Sequence, residues 1–600
     1  MRYGKVTVWL ATLLFAAMAV ILWIQEPRTE GMPLNLILTT AGREESVDCW
    51  KNEAGAYYLF LPSYADPVSA QFRVHAEGVT IDGKPVASGM SCDTFALNTP
   101  LSLSFDSPAG TVTTVLTVTR SENLPTLYLD TASGSMDYIH GKKGNQETGR
   151  LRLYTQDGNL AYEGKLDAVN GRGNDWLIAK KSYSLRLAAA GDLLGMGQAE
   201  KWILTSNAFD GSHLRNKLVY DFADALGLAY SPQSQWVDLY LNGEYAGLYL
   251  LCERNELHEQ RVSPEGTDPY LVSMDAGWRL EQNGRPYVTT ESGHAFRIHG
   301  SSLRDETLQQ LLQSVENAIS AENGMDPLTG KHWSELIDPD SWAKKYLIEE
   351  VFGNSDGGAI SQYFYGSDDK TKMYAGPVWD YDISMGSARA SGGGGPESIF
   401  AARPRVLSYV DLSWYYELFR QEAFREQVVQ LYRDTCLPLL DDYLNARLDA
   451  YSGQIAAAAA MNQIRWDTPD SAGETEKIRR FMEERLDFLN QLWLENKTYC
   501  SVLIIPDAGR NTVCHMVQPG QTIPALPDYE ESGNLGWYDA ATEAPFDGTQ
   551  PIYEDTVVYL KQLPEETEGL SVIQLAPAAA ALCVLACMIL ADKNRRRQGY

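Results

Sequence analysis

Residues 354–382 read NSDGGAISQYFYGSDDKTKMYAGPVWDYD, and this stretch carries the strongest indication of fold and chemistry in the chain. Two apolar runs flank the turn residues Asp368 and Asp369, which predicts an antiparallel hairpin. Because a hairpin returns the chain to its starting edge, we expect Asp356 and Asp380 to approach one another closely. The stretch therefore predicts a place where carboxylates gather.

Clustered carboxylates repel one another, and proteins relieve the repulsion with a divalent cation or by raising one carboxyl pKa. Mg²⁺ with a bound phosphate is the solution that uses oxygen ligands. In an extended segment Asp382 shares a face with Asp380, so it is either a further metal ligand or a residue that orients the site. The alternative, solvated acids in turns, is disfavoured for Asp380 by the apolar run that ends at Trp379.

A second polar stretch combines a glycine turn with a strand that carries two lysines. It contains Gly171, Arg172 and Gly173 in the turn, followed by Lys180 and Lys181. Glycine lets backbone N–H groups approach a phosphate, and a lysine on a strand adds a point charge. Such a pattern is common on protein surfaces, but beside an acidic hairpin it indicates phosphate binding.

Together these residues resemble the CotH (spore coat protein H) kinase family, an atypical branch of the protein-kinase-like fold. The resemblance covers about residues 130–495 and implies an α+β, two-lobed, atypical protein-kinase-like fold. Its motifs occur in family order: Gly171-Arg-Gly-Asn-Asp-Trp176, Lys180-Lys-Ser-Tyr183, Leu193-Leu-Gly-Met196, Leu214-Arg-Asn216, Tyr240-Leu-Asn-Gly-Glu-Tyr-Ala-Gly-Leu-Tyr-Leu250, Asn354-Ser-Asp356 and Trp379-Asp-Tyr-Asp382.

The resemblance implies that the chain binds ATP or another nucleotide together with Mg²⁺. Lys181, or Lys180 in its place, would pair with the phosphates of the nucleotide. The residues implied in nucleotide binding are Gly171, Arg172, Gly173, Lys180 and Lys181.

The resemblance also implies catalytic and metal-binding residues. Asp356 would act as the catalytic-loop acid together with Lys181, and Asp380 would hold Mg²⁺, with Asp382 as a further ligand. Where the family has an asparagine shortly after the catalytic aspartate, this chain has Gln362. We expect Gln362 to ligate the metal in its place, although its extra methylene shifts the oxygen and leaves open a degenerate copy that only binds.

The regions on both sides of the kinase-like domain, residues 129–496, predict small all-β modules. Residues 30–128 alternate in short strands typical of a β-sandwich-like module. Residues 498–565 resemble a surface repeat of the Listeria-Bacteroides type, a β-grasp-like module. Within the central domain, an Asn-Gly pair at residue 242 between two apolar runs predicts a hairpin with a type I′ turn.

Both ends of the chain predict transmembrane helices. Residues 1–27 contain a 19-residue stretch, residues 6–24, without a charge, read as an anchor or a signal peptide. Residues 571–592 are similarly apolar and precede a basic tail at 593–600. The positive-inside rule then predicts a protein at the cell membrane whose main body is extracytoplasmic.

The charge of the chain limits its partners. There are 50 Lys and Arg against 79 Asp and Glu, a net charge of −29, which repels a nucleic-acid backbone. We therefore expect no nucleic-acid partner. The resemblance implies a protein substrate or surface partner, and the apolar termini predict a membrane contact through the terminal helices.

Three functions remain open from the sequence. The first is a membrane-anchored, extracytoplasmic, CotH-type protein kinase that transfers phosphate from a nucleotide to Ser, Thr or Tyr. The second is a catalytically weak or inactive kinase-fold surface protein that acts as a binding or adhesion module. The third, a glycosidase built on Asp356 and Asp380, explains neither Lys181 nor the glycine turn.

Overall fold

The computed structural model describes the chain from residue 32 to residue 562. The fold is α+β, as predicted, with several sheets, one of which closes into a barrel. Within the described span, the residues left out of the description are 174, 368–371, 388–393, 406–409, 411, 507–511, 524–525 and 527–533.

Nine strands enclose the N-terminal core. They are β1 (Leu34–Thr40), β2 (Arg43–Asp48), β3 (Trp50–Lys51), β4 (Tyr57–Leu61), β5 (Gln71–Val74), β6 (Glu77–Ile81), β7 (Lys84–Pro85), β8 (Leu101–Ser107) and β9 (Gly110–Arg120). One sheet has the order β2-β1-β5 and the other β3-β4-β9-β8-β6-β7. On β8 the side chains of Leu101, Leu103 and Phe105 are buried, the period-two pattern that predicted a strand.

Seven strands form the closed barrel. They are β10 (Thr126–Thr131), β11 (Gln146–Tyr154), β12 (Leu160–Arg172), β13 (Ser182–Asp192), β14 (Gln198–Thr205), β15 (Ser234–Leu241) and β16 (Glu244–Glu253), in the order β10-β11-β12-β13-β14-β16-β15. The parallel pairing of β10 with β15 closes the barrel. The predicted hairpin is confirmed, because β15 and β16 pair antiparallel around Asn242 (φ 50°) and Gly243 (φ 90°).

A second sheet follows the barrel and has the order β18-β19-β17-β20-β21. Its strands are β17 (Tyr270–Asp275), β18 (Tyr287–Thr289), β19 (Ala295–Ser301), β20 (Gln362–Gly366) and β21 (Tyr374–Ala375). The predicted acidic hairpin is confirmed, since β20 and β21 pair antiparallel with Phe364 opposite Ala375. Its predicted turn at residues 368 and 369 lies outside the described residues.

Helices cover this sheet and complete the core. On the helix Asp305–Ser320 the side chains of Leu308, Leu312, Val315 and Ile319 are buried, at the three- and four-residue spacing of one helical face. The helices are α1 (Asp137–Gly141), α2 (Arg215–Ala225), α3 (Gly277–Gln282), α4 (Asp305–Ser320), α5 (Trp333–Leu336), α6 (Pro339–Val351), α7 (Trp414–Arg420), α8 (Glu422–Leu431), α9 (Leu437–Asp442), α10 (Leu448–Trp466) and α11 (Ser471–Trp493).

The C-terminal sheet shares a strand with the preceding domain. Its order is β22-β24-β23-β26-β25, where the strands are β22 (Ser398–Ile399), β23 (Cys500–Ile505), β24 (Val513–Val517), β25 (Asn534–Asp539) and β26 (Thr556–Gln562). Because Ser398 of β22 pairs with His515 of β24, the C-terminal residues complete a sheet that begins before α7.

The predictions of two transmembrane helices and of a location at the cell membrane are corrected by the structure. In the described part of the chain, every helix is too short or too polar to cross a membrane. The two apolar stretches on which those predictions rested, residues 6–24 and 572–591, lie outside the described residues.

Candidate functional site

A cleft of about 780 Å³ lies where the barrel meets the second sheet. Its walls come from the ends of barrel strands, from the face of the second sheet and from the loops around β20 and β21. Six residues that the sequence singled out line this one cavity: Gly171, Arg172, Gly173, Asp356, Asp380 and Asp382.

The barrel side of the cleft is formed by Gly171 and Arg172, the last two residues of β12, and by Gly173, which follows the strand; these three residues are called the glycine turn. Gly171 has no room for a side chain, because a Cβ there would lie 2.2 Å from the Trp176 ring. Gly173 has a φ of 75°, a conformation that favours glycine. Arg172 projects across the cleft, and its guanidinium carbon lies 5.2 Å from the centre of the Trp379 ring. The turn therefore contacts the residue that immediately precedes Asp380.

The structure does not bring the two predicted lysines to the cleft. Lys180 is buried, and its Nζ donates to the carbonyls of Ser206 at 2.7 Å and Leu248 at 2.6 Å. Lys181 donates to two carbonyls of the preceding turn, those of Trp176 and Ile178, both at 2.8 Å. Both ammonium groups donate charge-assisted hydrogen bonds to backbone carbonyls. The lysines therefore stabilise the glycine turn and the barrel, and their charges do not face the cavity.

Asp356 lies in the turn that follows α6. Its backbone N–H donates to Asn354 Oδ1 at 3.1 Å, and its carbonyl accepts from the N–H groups of Ala359 and Ile360, both at 3.0 Å. The side chain is half-buried at the cavity wall. These backbone bonds hold the carboxylate at the entry to β20.

Asp380 and Asp382 lie on the opposite side of the hairpin, after β21. Asp380 has a φ of 71° and an exposed side chain, whose Oδ2 accepts from Ser361 Oγ at 3.3 Å. Its N–H lies 3.5 Å from the hydroxyl oxygen of Tyr220, the acceptor, and burial raises the pKa of that phenol. The segment is not extended at Asp380, yet both aspartates reach the cavity as predicted.

The aspartates have the donor type that Mg²⁺ prefers. Among the described residues, no group of three or more His, Cys, Asp or Glu side chains is arranged to hold a metal ion. Mg²⁺ is commonly bound by one or two carboxylates together with substrate phosphates and water, so a complete protein cage is not required. Asp380 and Asp382, two residues apart at one wall, fit that mode of binding.

Gln362, the predicted third metal ligand, faces away from the cleft. Along β20 successive side chains alternate between the two faces of the sheet. Ser361 and Tyr363 line the cavity, whereas Gln362 is fully buried on the other face. Its Oε1 accepts from Lys345 Nζ at 3.1 Å, and its Nε2 donates to the carbonyl of Ile360 at 3.0 Å. The structure thus removes Gln362 from the predicted metal site.

A buried ion pair on α6 connects the segment that carries Asp356 to the segment that carries Asp380 and Asp382. Lys345 and Glu349 are both fully buried and bonded to each other, and Tyr381 donates to the same Glu349 carboxylate. The other Glu349 oxygen accepts from Asn354 Nδ2 at 2.6 Å. Since Asn354 holds the backbone of Asp356, one ion pair fixes both aspartate-bearing segments.

Sequence reasoning missed a group of three arginines and one histidine on the second-sheet side of the cleft. Arg254, Arg285, Arg297 and His299 all line the cavity. One signal was present in the sequence: Arg297 and His299 alternate along β19, so they share one face of the strand. Arg254 and Arg285 come from connecting segments and carry no such pattern.

Comparison with known families agrees with this geometry. The sequence model of the CotH kinase protein family matches residues 169–489, just over half of the chain. The chain belongs to the CotH kinase family. This CotH-family protein is thus kinase-like at the family level, and family membership implies nucleotide and metal use in general terms. The predicted resemblance of residues 498–565 to a surface repeat lies beyond the match and stays a prediction. No curated protein matches the chain.

Proposed function

We propose that this CotH-family protein is a phosphotransferase that moves the terminal phosphoryl group of a nucleoside triphosphate to a hydroxyl group of a protein. The observation that supports the proposal is the single cleft that joins the turn at residues 171–173 to Asp356, Asp380 and Asp382. Phosphoryl transfer is catalysed mainly by positioning the reactants and by neutralising phosphate charge. The cleft offers glycines and an arginine for the phosphates, and aspartates for a cation and for the acceptor hydroxyl.

The chain's own residues divide the work. The backbone of Gly171 and Gly173 and the guanidinium of Arg172 bind the phosphate chain from the barrel side. Asp380 and Asp382 hold a divalent cation, which neutralises phosphate charge when bound. Asp356 accepts the proton of the acceptor hydroxyl as its oxygen bonds to the terminal phosphorus, and the nucleoside diphosphate leaves with the electrons of the broken P–O bond.

A second function is favoured by one specific observation, the position of the lysines. Because Lys180 and Lys181 bind backbone carbonyls, neither of them supplies the cleft with the ammonium group expected of a phosphoryl-transfer site. A kinase-fold protein that binds a nucleotide or a protein partner without transferring phosphate fits this arrangement. In the proposal above, Arg172 supplies the missing charge instead.

Transfer of labelled phosphate from γ-labelled ATP to the chain itself and to a serine peptide library separates the two functions. Asp380→Asn keeps the size of the side chain and removes its charge, and Asp157→Asn, at an exposed turn, is the matched control. The proposal predicts Mg²⁺-dependent labelling by the natural chain and by Asp157→Asn, and loss of labelling in Asp380→Asn. Nucleotide binding without any transfer by the natural chain would favour the binding protein.

A further inference from the structure

Four arginines converge on one histidine inside the cleft. Arg172, Arg254, Arg285 and Arg297 all line the cavity together with His299. Burial lowers the pKa of His299 well below its usual value, and the positive charges of the same four arginines lower it further. His299 is therefore neutral at pH 7, and its Nε2 lies 2.9 Å from Ser273 Oγ.

The cluster lacks counter-charges of its own. Among the residues that the structure describes, no carboxylate lies within ion-pair distance of Arg172, Arg254, Arg285 or Arg297, whereas Arg279 in the same cavity bonds to Asp275. The Nε of Arg297 is buried and has no hydrogen-bond partner in the described part of the chain. Burial lowers the pKa of Arg297, and the charges of Arg285 and Arg254 lower it further, while Tyr363 and Asp275 oppose the shift.

Asp275, Asp356, Asp380 and Asp382 line the same cavity, yet repulsion among the four guanidinium groups favours a further negative ligand beside them. Like charges repel more strongly in a partly buried cavity than in water, and an unsatisfied buried donor carries a desolvation cost. The concentration of positive charge is unusual in a chain whose net charge is −29. Guanidinium groups present planar forks of N–H donors that match phosphate oxygens in pairs.

We propose that Arg254, Arg285 and Arg297 form, with Arg172, a binding site for a multiply charged phosphate oxyanion of the substrate. The ligand oxygens accept from the free guanidinium forks, including the unpaired Nε of Arg297. The site does not require phosphoryl transfer, because it is defined by charge and position alone. It would exist equally in a protein that only binds nucleotide.

The phosphate can come from two sources. One is the polyphosphate chain of the donor nucleotide. Arg172 lies in the glycine turn and also lines the cavity with the other arginines, so one phosphate chain could contact both. The other is a phosphate group already present on the acceptor. Both present the same chemistry to the arginines, so competition between ligands has to distinguish them.

Calorimetric titration of the full chain with inorganic tripolyphosphate, in EDTA to remove metal ions, tests the site directly. Arg254→Gln and Arg297→Gln are each expected to weaken binding about tenfold, which is the loss of one charge-assisted hydrogen bond. Arg279→Gln, a cavity arginine with its own carboxylate partner, and Arg480→Gln, on the surface of α11, are expected to change binding less than twofold.

Thermal unfolding of the same variants shows whether weaker binding results from misfolding. Removal of one repelling charge should leave the Tm of Arg254→Gln and Arg297→Gln unchanged or raise it. Folded natural chain that fails to bind tripolyphosphate would overturn the proposal, as would equal weakening in Arg279→Gln.

Competition then identifies the source. Displacement of tripolyphosphate by ATP assigns the cluster to the donor, and displacement by a phosphoserine peptide alone assigns it to the acceptor. If neither displaces it, tripolyphosphate binding is adventitious and the proposal is wrong.

Discussion

Asp356 and Asp380 line the cleft from opposite ends of one hairpin, and their surroundings indicate different roles. The Asp356 backbone is held by three hydrogen bonds in a turn, whereas Asp380 presents an exposed carboxylate beside Asp382. A carboxylate that receives a proton needs a fixed position, and one that holds a cation needs access to it.

This difference predicts a split between the two asparagine variants. Asp356→Asn should lower kcat about 10²- to 10⁴-fold while nucleotide binding stays the same, as for loss of a general base. Asp380→Asn should in addition raise the Mg²⁺ concentration needed for half-maximal binding of ATP. Steady-state kinetics and calorimetry at varied Mg²⁺ measure the two effects, and identical behaviour of both variants would contradict the assignment.

The ion pair under the hairpin gives a stability prediction. Lys345→Met leaves the Glu349 carboxylate buried without its ammonium partner, so we expect a loss of about 3–5 kcal/mol in the free energy of unfolding. The double variant Lys345→Met/Glu349→Gln removes both charges and keeps a hydrogen-bond acceptor for Asn354, so most of the loss should disappear. Urea unfolding compares the two; an equal loss in both would show that the charges do not matter.

Among the elements of the fold, Arg403 connects the C-terminal sheet to the turn that carries Asp356. One guanidinium nitrogen donates to the carbonyls of Ser355 at 3.2 Å and Gly357 at 2.9 Å, on both sides of Asp356, and another donates to the carbonyl of Thr512. Burial lowers the pKa of Arg403 to about 10, and the nearby Asp356 opposes this shift.

Arg403→Gln should therefore loosen the Asp356 turn. We expect faster amide hydrogen exchange at Ala359 and Ile360, whose N–H groups bond to the carbonyl of Asp356, and no change at the glycine turn. Mass-spectrometric hydrogen exchange measures both regions in one experiment. Unchanged exchange at Ala359 and Ile360 would mean that the C-terminal sheet does not support the turn.

A buried carboxyl group on β15 makes the stability of the barrel depend on pH. Burial raises the pKa of Asp238 to about 7, and the Tyr245 hydroxyl donates to its Oδ1 at 3.1 Å. Between pH 4 and pH 7 the unfolded chain releases this proton and the folded chain keeps it, so ionisation favours unfolding as the pH rises.

Asp238→Asn removes that effect. The variant should gain stability relative to the natural chain as the pH rises from 4 to 7, with the difference reaching its full size above pH 7. Thermal melts of both proteins across this range measure the difference, and exposed Asp157→Asn serves as control. A difference that is independent of pH would contradict a raised pKa at Asp238.

At the scale of the whole molecule, the sequence predicted the features that local patterns encode. The hairpin of β20 and β21 follows from two apolar runs with acids at both ends, and it brings Asp356 and Asp380 to one cavity as expected. Residues 171–173 were identified from their two glycines and the two lysines that follow, and the structure adds that a side chain at Gly171 would collide with Trp176.

The rest depended on long-range contacts that no local pattern records. Which way Lys181 points is decided by two carbonyls of its own turn, and which way Gln362 points is decided by its buried neighbour Lys345. Arg254 and Arg285 line one cavity because the second sheet lies against the barrel. Apolar length near the termini predicted membrane helices, and the described residues contain none.

We expect the cleft to bind a nucleotide together with a divalent cation that Asp380 holds. Calorimetric titration of the folded full chain with ATP, with and without Mg²⁺, tests it most directly. We expect ATP binding that Mg²⁺ strengthens in the natural chain, and the loss of this Mg²⁺ dependence in Asp380→Asn. Failure of the folded natural chain to bind ATP, or the same Mg²⁺ dependence in both proteins, would contradict it.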